Sequence, residues 1–364
     1  MTDATKMLAA QLGILPRYVD LDGQSHRTSR ETQAALLGAM GFEATTQPAA
    51  RESLAELEAE ATSGSHSDWK VVTVNTVPRI DIEEQQHWQL EYEDGRTIDG
   101  HGADNLPRLP LGRHLLTTDR QKLWLLAAPD ALPRPPRAWG VTVPFAGLRT
   151  PDEGGVGEFS DLGDAGTQLA RKGAAFLGIN PVHAGFPTDE TASSPYSPSH
   201  RQWVNTLHIA TGAGPAATGP LIDYPAEIRL QRKNLRARYD AGDGADGFEA
   251  FLAEHGNALI SFAAHQALSE EYGPYWNTWP AGLHSADGLE VQREGSRIAA
   301  DVRFHAWAQY QAETQLSRTA NRLDAAGMFF GLYLDLAVGT HPFGAETWEN
   351  PALFARGATL GAPP

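Results

Sequence analysis

The sequence predicts an α/β fold, and three observations support this prediction. A strand, helix, strand order is visible in the second half of the chain, where apolar stretches at 139–148 and 174–182 flank a segment of helical spacing at 160–172. A third apolar stretch follows at 328–338. A proline-dense run at 129–136 precedes this half and predicts a domain boundary, because proline interrupts both helices and strand ladders.

The residue pattern predicts three parts, two before that boundary and one after it. Residues 1–64 carry apolar side chains at helical intervals, so we expect a helical N-terminal module. Residues 65–130 alternate apolar and polar side chains and predict a small β-sandwich module. Residues 137–364 hold the three apolar stretches, with a helical insertion at about 222–326.

Composition excludes several classes of site and partner. The 364 residues include 45 acidic and 29 basic side chains, for a formal net charge of -16, and no cysteine. A chain without cysteine forms no disulfides, thiolate metal sites or cysteine nucleophile. The acid excess argues against nucleic-acid and anionic-membrane partners, since these require clustered Lys and Arg. With no long apolar run and no basic-flanked leader, we expect a cytoplasmic protein.

Eight sequence strings carry a resemblance to one enzyme family. They are SRETQAALLGAMGF at 29–42, LPLGRHLL at 109–116, GVGEFSDL at 155–162, GINPVHAGFP at 178–187, SSPYSPSHRQWVNTLHI at 193–209, GLYLDLAVG at 331–339, GAETW at 344–348 and GAPP at 361–364. In this order and spacing the chain resembles the amylomaltases, the 4-α-glucanotransferases also called disproportionating enzymes, in their long bacterial type. The resemblance covers nearly the whole chain.

The resemblance implies the first part of a (β/α)8 barrel and a retaining transfer of α-1,4-glucan segments. In such a reaction one carboxylate attacks the anomeric carbon and a second carboxylic acid protonates the leaving oxygen. The family's nucleophile lies in an Arg-Ile-Asp-His string that comes after GAPP, so no catalytic residue is carried over to this chain. The look-alike at 79–82, Arg-Ile-Asp-Ile, precedes the barrel and is interpreted as accidental.

The number of predicted strands also indicates an incomplete barrel. Three candidate barrel strands are visible where a closed barrel needs eight, and an open parallel edge requires a cover. We therefore expect the N-terminal portion of a longer enzyme, inactive alone.

Five residues are substrate-binding candidates by the resemblance: Tyr196, Asp335, Ser194, His341 and Trp276. The Tyr of the family's SPY string lines the glucan subsites, and the Asp of its third-strand motif supports the substrate or the catalytic arginine. Each candidate also has a structural interpretation. Tyr196 could pack its own loop, Asp335 could cap backbone N–H groups, and Trp276 could be a packing residue. Ser194 could shape its loop, and His341 could be an ordinary loop histidine.

Two other functions remain open at this point. A non-catalytic glucan-binding or regulatory protein of the same fold would keep Tyr196 and the β module. A nucleotide-dependent oxidoreductase would use the glycines at 154, 155 and 157 as a phosphate cradle, which is a weak motif by itself. We expect no metal and no organic cofactor, and we expect maltooligosaccharides or other α-1,4-glucans as the binding partners.

Overall fold

A computed structural model describes residues 3–62, 69–149, 154–288, 291, 295, 297–355 and 357–358. The chain divides into two compact units, residues 1–136 and 137–363. Each unit contains its own buried apolar clusters.

The first unit begins with helices packed around a small core. The helices are α1 Ala4–Gln11, α2 Arg30–Ala39 and α3 Gln47–Thr62, and the hairpin strands β1 Arg17–Val19 and β2 Ser25–Arg27 connect α1 to α2. The Ser29 hydroxyl accepts a hydrogen bond from the backbone N–H of Thr32, which satisfies one of the free donors at the start of α2. Leu8 and Leu37 are fully buried in the cluster that joins the helices.

The β module of this unit is one sheet, which corrects the predicted sandwich. Its strands are β3 Trp69–Thr73, β4 His87–Glu91, β5 Thr97–His101, β6 Gly112–Thr118 and β7 Lys122–Ala128, in the order β3-β7-β6-β4-β5. Trp88 and Leu90 alternate with exposed neighbours and face the core. Apolar residues outside the strands share this core, namely Ile80, Ile82, Leu106 and Leu109. These segments supply the cover that a second sheet would give, and the look-alike string at 79–82 therefore contributes packing residues.

The second unit is built on a parallel sheet of three strands. They are β8 Gly140–Val143, β9 Phe176–Ile179 and β12 Gly331–Leu334, with β9 in the centre. Helix α4 Phe159–Arg171 connects β8 to β9, as expected for parallel neighbours. The α/β class predicted from the apolar stretches is confirmed.

Long helices and one short antiparallel pair complete the unit. The helices are α5 Tyr224–Asp240, α6 Phe248–Tyr272, α7 Ala299–Ala325 and the short α8 Ala345–Glu349; the pair is β10 His183–Ala184 with β11 His200–Val204. Single 3-10 turns occur at Ala103–Asn105, Phe145–Gly147, Thr206–His208, Trp276–Thr278, Ala281–Leu283 and Pro351–Leu353. Leu177, Phe262 and Trp307 are buried in one cluster, so the sheet and the helices share a core. No helix in the described part of the chain has the length and apolarity needed to cross a membrane.

The N-terminus of α4 is closed by two carboxylates. The backbone N–H of Glu158 donates to Asp161 at 2.8 Å, and the Glu158 carboxylate accepts in return from the third residue of the helix, which forms a capping box. Glu158 also lines a cavity of about 770 Å³ with Leu148, Thr211 and Glu227. Burial and the Asp161 charge raise the pKa of Glu158 to about 7.

We expect Glu158→Gln to change how stability depends on pH. A carboxyl group with a raised folded-state pKa contributes stability below the ordinary value of 4.5 and loses it as pH rises toward about 7. The free energy of unfolding of the second unit, from urea titration, should therefore fall relative to the variant across that window. Glu254→Gln, which removes an exposed carboxylate on α6, is the control for the substitution itself. A pH-independent difference between wild type and Glu158→Gln would contradict the assignment.

Candidate functional site

Three connections leave the same edge of the parallel sheet. Since β8, β9 and β12 run parallel, the segments that begin at residues 144, 180 and 335 all start at the carboxyl ends of their strands. In parallel α/β folds this edge is the usual place for a binding site, because connections from several strands converge there. The strings that contain Tyr196 and Asp335 both lie on these connections.

The structure brings Tyr196 and Asp335 together. The Asp335 carboxylate lies close enough to the Tyr196 hydroxyl to act on its ionisation, although the two residues are far apart in sequence. Desolvation and this carboxylate raise the pKa of Tyr196. The Tyr196 side chain is 60% exposed, so its ring is open to a ligand. An exposed aromatic ring beside a carboxylate offers an apolar surface and hydrogen-bond acceptors together.

An ion pair holds the segment after Asp335 against β11. The Arg201 guanidinium on β11 donates to both carboxylate oxygens of Glu346 on α8, at 2.6 and 3.1 Å, and to the carbonyl of Val338 at 3.1 Å. Burial disfavours the charge on Glu346, but the hydrogen bonds from Arg201 outweigh it and hold the pKa of Glu346 below its usual value. The paired geometry is the rigid, two-point kind that only arginine provides.

His341 lies in an aromatic cluster next to this segment. Its ring stacks on Tyr275 with centroids 4.8 Å apart and meets the edge of Phe186 at 5.1 Å. The Tyr275 hydroxyl donates to Asp189 at 2.7 Å, and burial together with that carboxylate raises the pKa of Tyr275 to about 12. Burial also lowers the pKa of His341, which favours the neutral ring. His341 is half-buried, and one of its faces is occupied by Tyr275.

The other two substrate-binding candidates, Ser194 and Trp276, differ in their exposure. Ser194 is exposed on the same connection as Tyr196. Trp276 is 8% exposed, its indole N–H donates to the Thr347 hydroxyl at 3.0 Å, and its ring meets the edge of Phe343. A ring enclosed in this way packs the protein interior, which favours the packing interpretation of Trp276, and its contact with sugar stays a prediction.

The glycines of the first connection have a steric explanation. A Cβ atom at Gly157 would overlap the carbonyl of Phe145, and one at Gly154 would overlap the carbonyl of Ala217. Gly154 also has φ +75°, a conformation that other residues rarely adopt. Close backbone approach therefore accounts for glycine at both positions without a phosphate ligand.

Within the described ranges, no group of three or more His, Cys, Asp or Glu side chains has an arrangement that could hold a metal ion. His183 and His200, close in sequence, face different partners: His183 accepts from the backbone of Ala337, and His200 contacts Glu349 at 3.2 Å.

Sequence reasoning missed Arg201, Glu346 and His183 as parts of the site. All three occur inside the quoted strings, but opposite charges 145 residues apart give no signal of pairing in a single sequence. The only available signal was their position after predicted strands, where side chains collect at the functional edge of a parallel sheet.

Comparisons with known proteins place the chain in a family. A family model described as 4-alpha-glucanotransferase matches residues 143–364. The 4-alpha-glucanotransferase of Mycobacterium bovis is 30% identical over 98% of this chain and 58% of that protein; the one from Haemophilus influenzae is 24% identical over 100% and 59%. The chain thus spans somewhat more than half the length of these curated relatives.

Solved structures show the same fold. The amylomaltase from Corynebacterium glutamicum matches with a TM-score of 0.68 and 23% identity, over 94% of this chain and 56% of that one. The amylomaltase from Streptococcus agalactiae, solved in complex with acarbose, matches with a TM-score of 0.53 and 18% identity, over 60% of this chain and 47% of that one. On the family match over residues 143–364, the chain belongs to the 4-alpha-glucanotransferase family.

Proposed function

We propose that the chain takes part in 4-α-glucanotransferase activity, the transfer of α-1,4-glucan segments between maltodextrins with retention, and that its share of that activity is glucan binding. The observation that carries the proposal is the exposed Tyr196 ring held against Asp335 at the carboxyl edge of a parallel sheet. The family match over the same residues supports it, as does the complex of a structural neighbour with acarbose. The substrates are maltooligosaccharides or other α-1,4-glucans, and the location is cytoplasmic.

We further propose that the three parallel strands are the first strands of a (β/α)8 barrel. Strand β12 has only β9 beside it within the described residues, and its exposed apolar side chains continue into the segment that follows; they are Tyr333, Leu334, Leu336 and Val338. An apolar edge of this kind is suited to pairing with a further strand. The glucan would lie across the carboxyl edge, with helices α5 to α7 as the insertion beside it.

In this function Tyr196 would stack on the apolar C–H face of a glucose unit. The Asp335 carboxylate beside its hydroxyl adds a hydrogen-bond acceptor next to the ring. Asp335 and Ser194 would accept and donate hydrogen bonds to sugar hydroxyls. The nucleophile and the acid/base carboxyl are proposed to lie outside residues 1–364.

We expect Tyr196→Ala to weaken maltoheptaose binding about tenfold, or ~1.4 kcal/mol, because the stacking surface is lost. Tyr196→Phe keeps the ring but not the hydroxyl that faces Asp335, so its affinity should fall between those of wild type and Tyr196→Ala. Tyr18→Ala removes an exposed tyrosine of the first unit and serves as the control. The measurement is isothermal titration calorimetry. Equal affinity of wild type and Tyr196→Ala would contradict the proposed site.

We expect the 364-residue protein to form neither glucose nor longer oligomers from maltotriose. Transfer requires two carboxyl groups about 5 to 5.5 Å apart on either side of the scissile bond, and none is assigned in this chain. Product analysis by chromatography after long incubation tests this expectation. Steady appearance of glucose together with maltopentaose would show that the chemistry resides in these residues.

A further inference from the structure

His183 connects two segments of the site through its ring. The backbone N–H of Ala337 donates to Nε2 of His183 at 3.1 Å. His183 itself lies on β10, and the backbone of Arg201 on β11 favours the protonated form of its ring. Since the nitrogen that accepts from Ala337 must be unprotonated, the ring proton has to sit on Nδ1. A neutral ring in one tautomer therefore bridges β10 and the segment that follows β12.

The bridged segment is the one that carries Asp335. Ala337 lies two residues beyond Asp335 and is 1% exposed. The next residues are tied to the same neighbour: Arg201 holds the carbonyl of Val338, and the backbone N–H of His341 donates to the carbonyl of Pro198 at 2.8 Å. Pro198 is two residues beyond Tyr196. Of these three contacts, the one between His183 and Ala337 lies nearest to Asp335 in sequence.

We propose that His183 is a positioning residue for glucan binding: it holds Asp335 against Tyr196 only while its ring is neutral, and so makes the affinity of this site depend on pH. The proposal rests on the function proposed above. His183 acts through the backbone of Ala337 and touches neither the sugar nor the reacting atoms.

Charged groups from three elements face the ring. Arg201 lies on β11, Glu346 on α8 and Asp335 after β12. Burial and the Arg201 charge favour the neutral ring, whereas the Arg201 backbone, Glu346 and Asp335 favour the protonated one, and the balance lowers the pKa of His183 below the ordinary 6.5. The ring is thus neutral at neutral pH. Protonation would direct an N–H at the N–H of Ala337, and the bridge would open.

The sign of the pH effect follows from that lowered pKa. A histidine whose pKa is lowered on folding stabilises the folded state at pH values above its unfolded-state pKa of 6.5. This stabilisation is lost as pH falls through the folded-state pKa. Glucan affinity should follow the same direction, because Asp335 is released from Tyr196 on the acid side.

The test is maltoheptaose affinity by titration calorimetry between about pH 7.5 and about pH 5, for wild type and His183→Gln. The glutamine amide can accept from Ala337 without titrating. Wild-type affinity should fall about fivefold or more on the acid side, and that of His183→Gln should stay level. His101→Gln, an exposed histidine of the first unit, should behave as wild type. A level wild-type profile, or the same decline in His183→Gln, would overturn the proposal.

Amide hydrogen exchange of the segment 335–341 in the wild type is a second measurement that needs neither a variant nor a ligand. After correction for the intrinsic pH dependence of exchange, protection should decrease on the acid side. If the protein bound no glucan at any pH, the proposed function would fail, and this measurement would still decide whether His183 releases the segment. Unchanged protection across the range would overturn the positioning role.

Discussion

Strand β9 pairs Phe176 with Gly140 on one side and with Gly331 on the other, and the position of the site follows from this parallel register. This register requires neighbouring strands to lie close together. A Cβ atom at Gly140 would lie 2.5 Å from the carbonyl oxygen of Phe176, and one at Gly178 would lie 2.8 Å from the Thr142 hydroxyl. Small residues at these points let three strands end at one level, so their connections meet at one edge.

The Arg201–Glu346 ion pair then fixes those connections in place. It links β11 to α8 and also holds the carbonyl of Val338, so three segments depend on one guanidinium. A half-buried pair of this kind is costly to break, because the remaining charge loses its partner without regaining full hydration. The same arginine disfavours a second positive charge nearby, which is one reason that His183 stays neutral.

The sequence predicted those features that arise from local pattern. The three apolar stretches contain β8, β9 and β12, because strands of parallel sheets carry apolar side chains on both faces. In the described residues β9 is largely buried, whereas Tyr333 and Leu334 of β12 are exposed. The alternation at Trp88 and Leu90 showed that the β module has one buried face, but alternation does not reveal what covers that face. Here segments that contain Ile80 and Leu106 cover it in place of a second sheet.

Contacts between distant residues account for what the sequence could not predict. The meeting of Tyr196 with Asp335 required the register of β9 and β12, which no local pattern encodes. Trp276 is a substrate-binding candidate by the resemblance, yet its partner Thr347 lies 71 residues away and only folding shows that the ring is enclosed. Exposure, which separates a binding aromatic residue from a packing one, is a property of the fold.

The protonation states of the carboxyl groups at this edge favour a ligand-binding role for the described residues over a role as general acid. Burial is outweighed by hydrogen bonds at Asp189, from Thr191 and Tyr275, and at Glu346, from Arg201, so the pKa of each lies below its usual value. A general acid for glycoside cleavage needs a raised pKa and a free proton to give. Glu158 has the raised pKa, but its carboxylate caps helix α4. Carboxylates that stay ionised can accept hydrogen bonds but cannot donate the proton that glycoside cleavage requires, which agrees with the binding role proposed above.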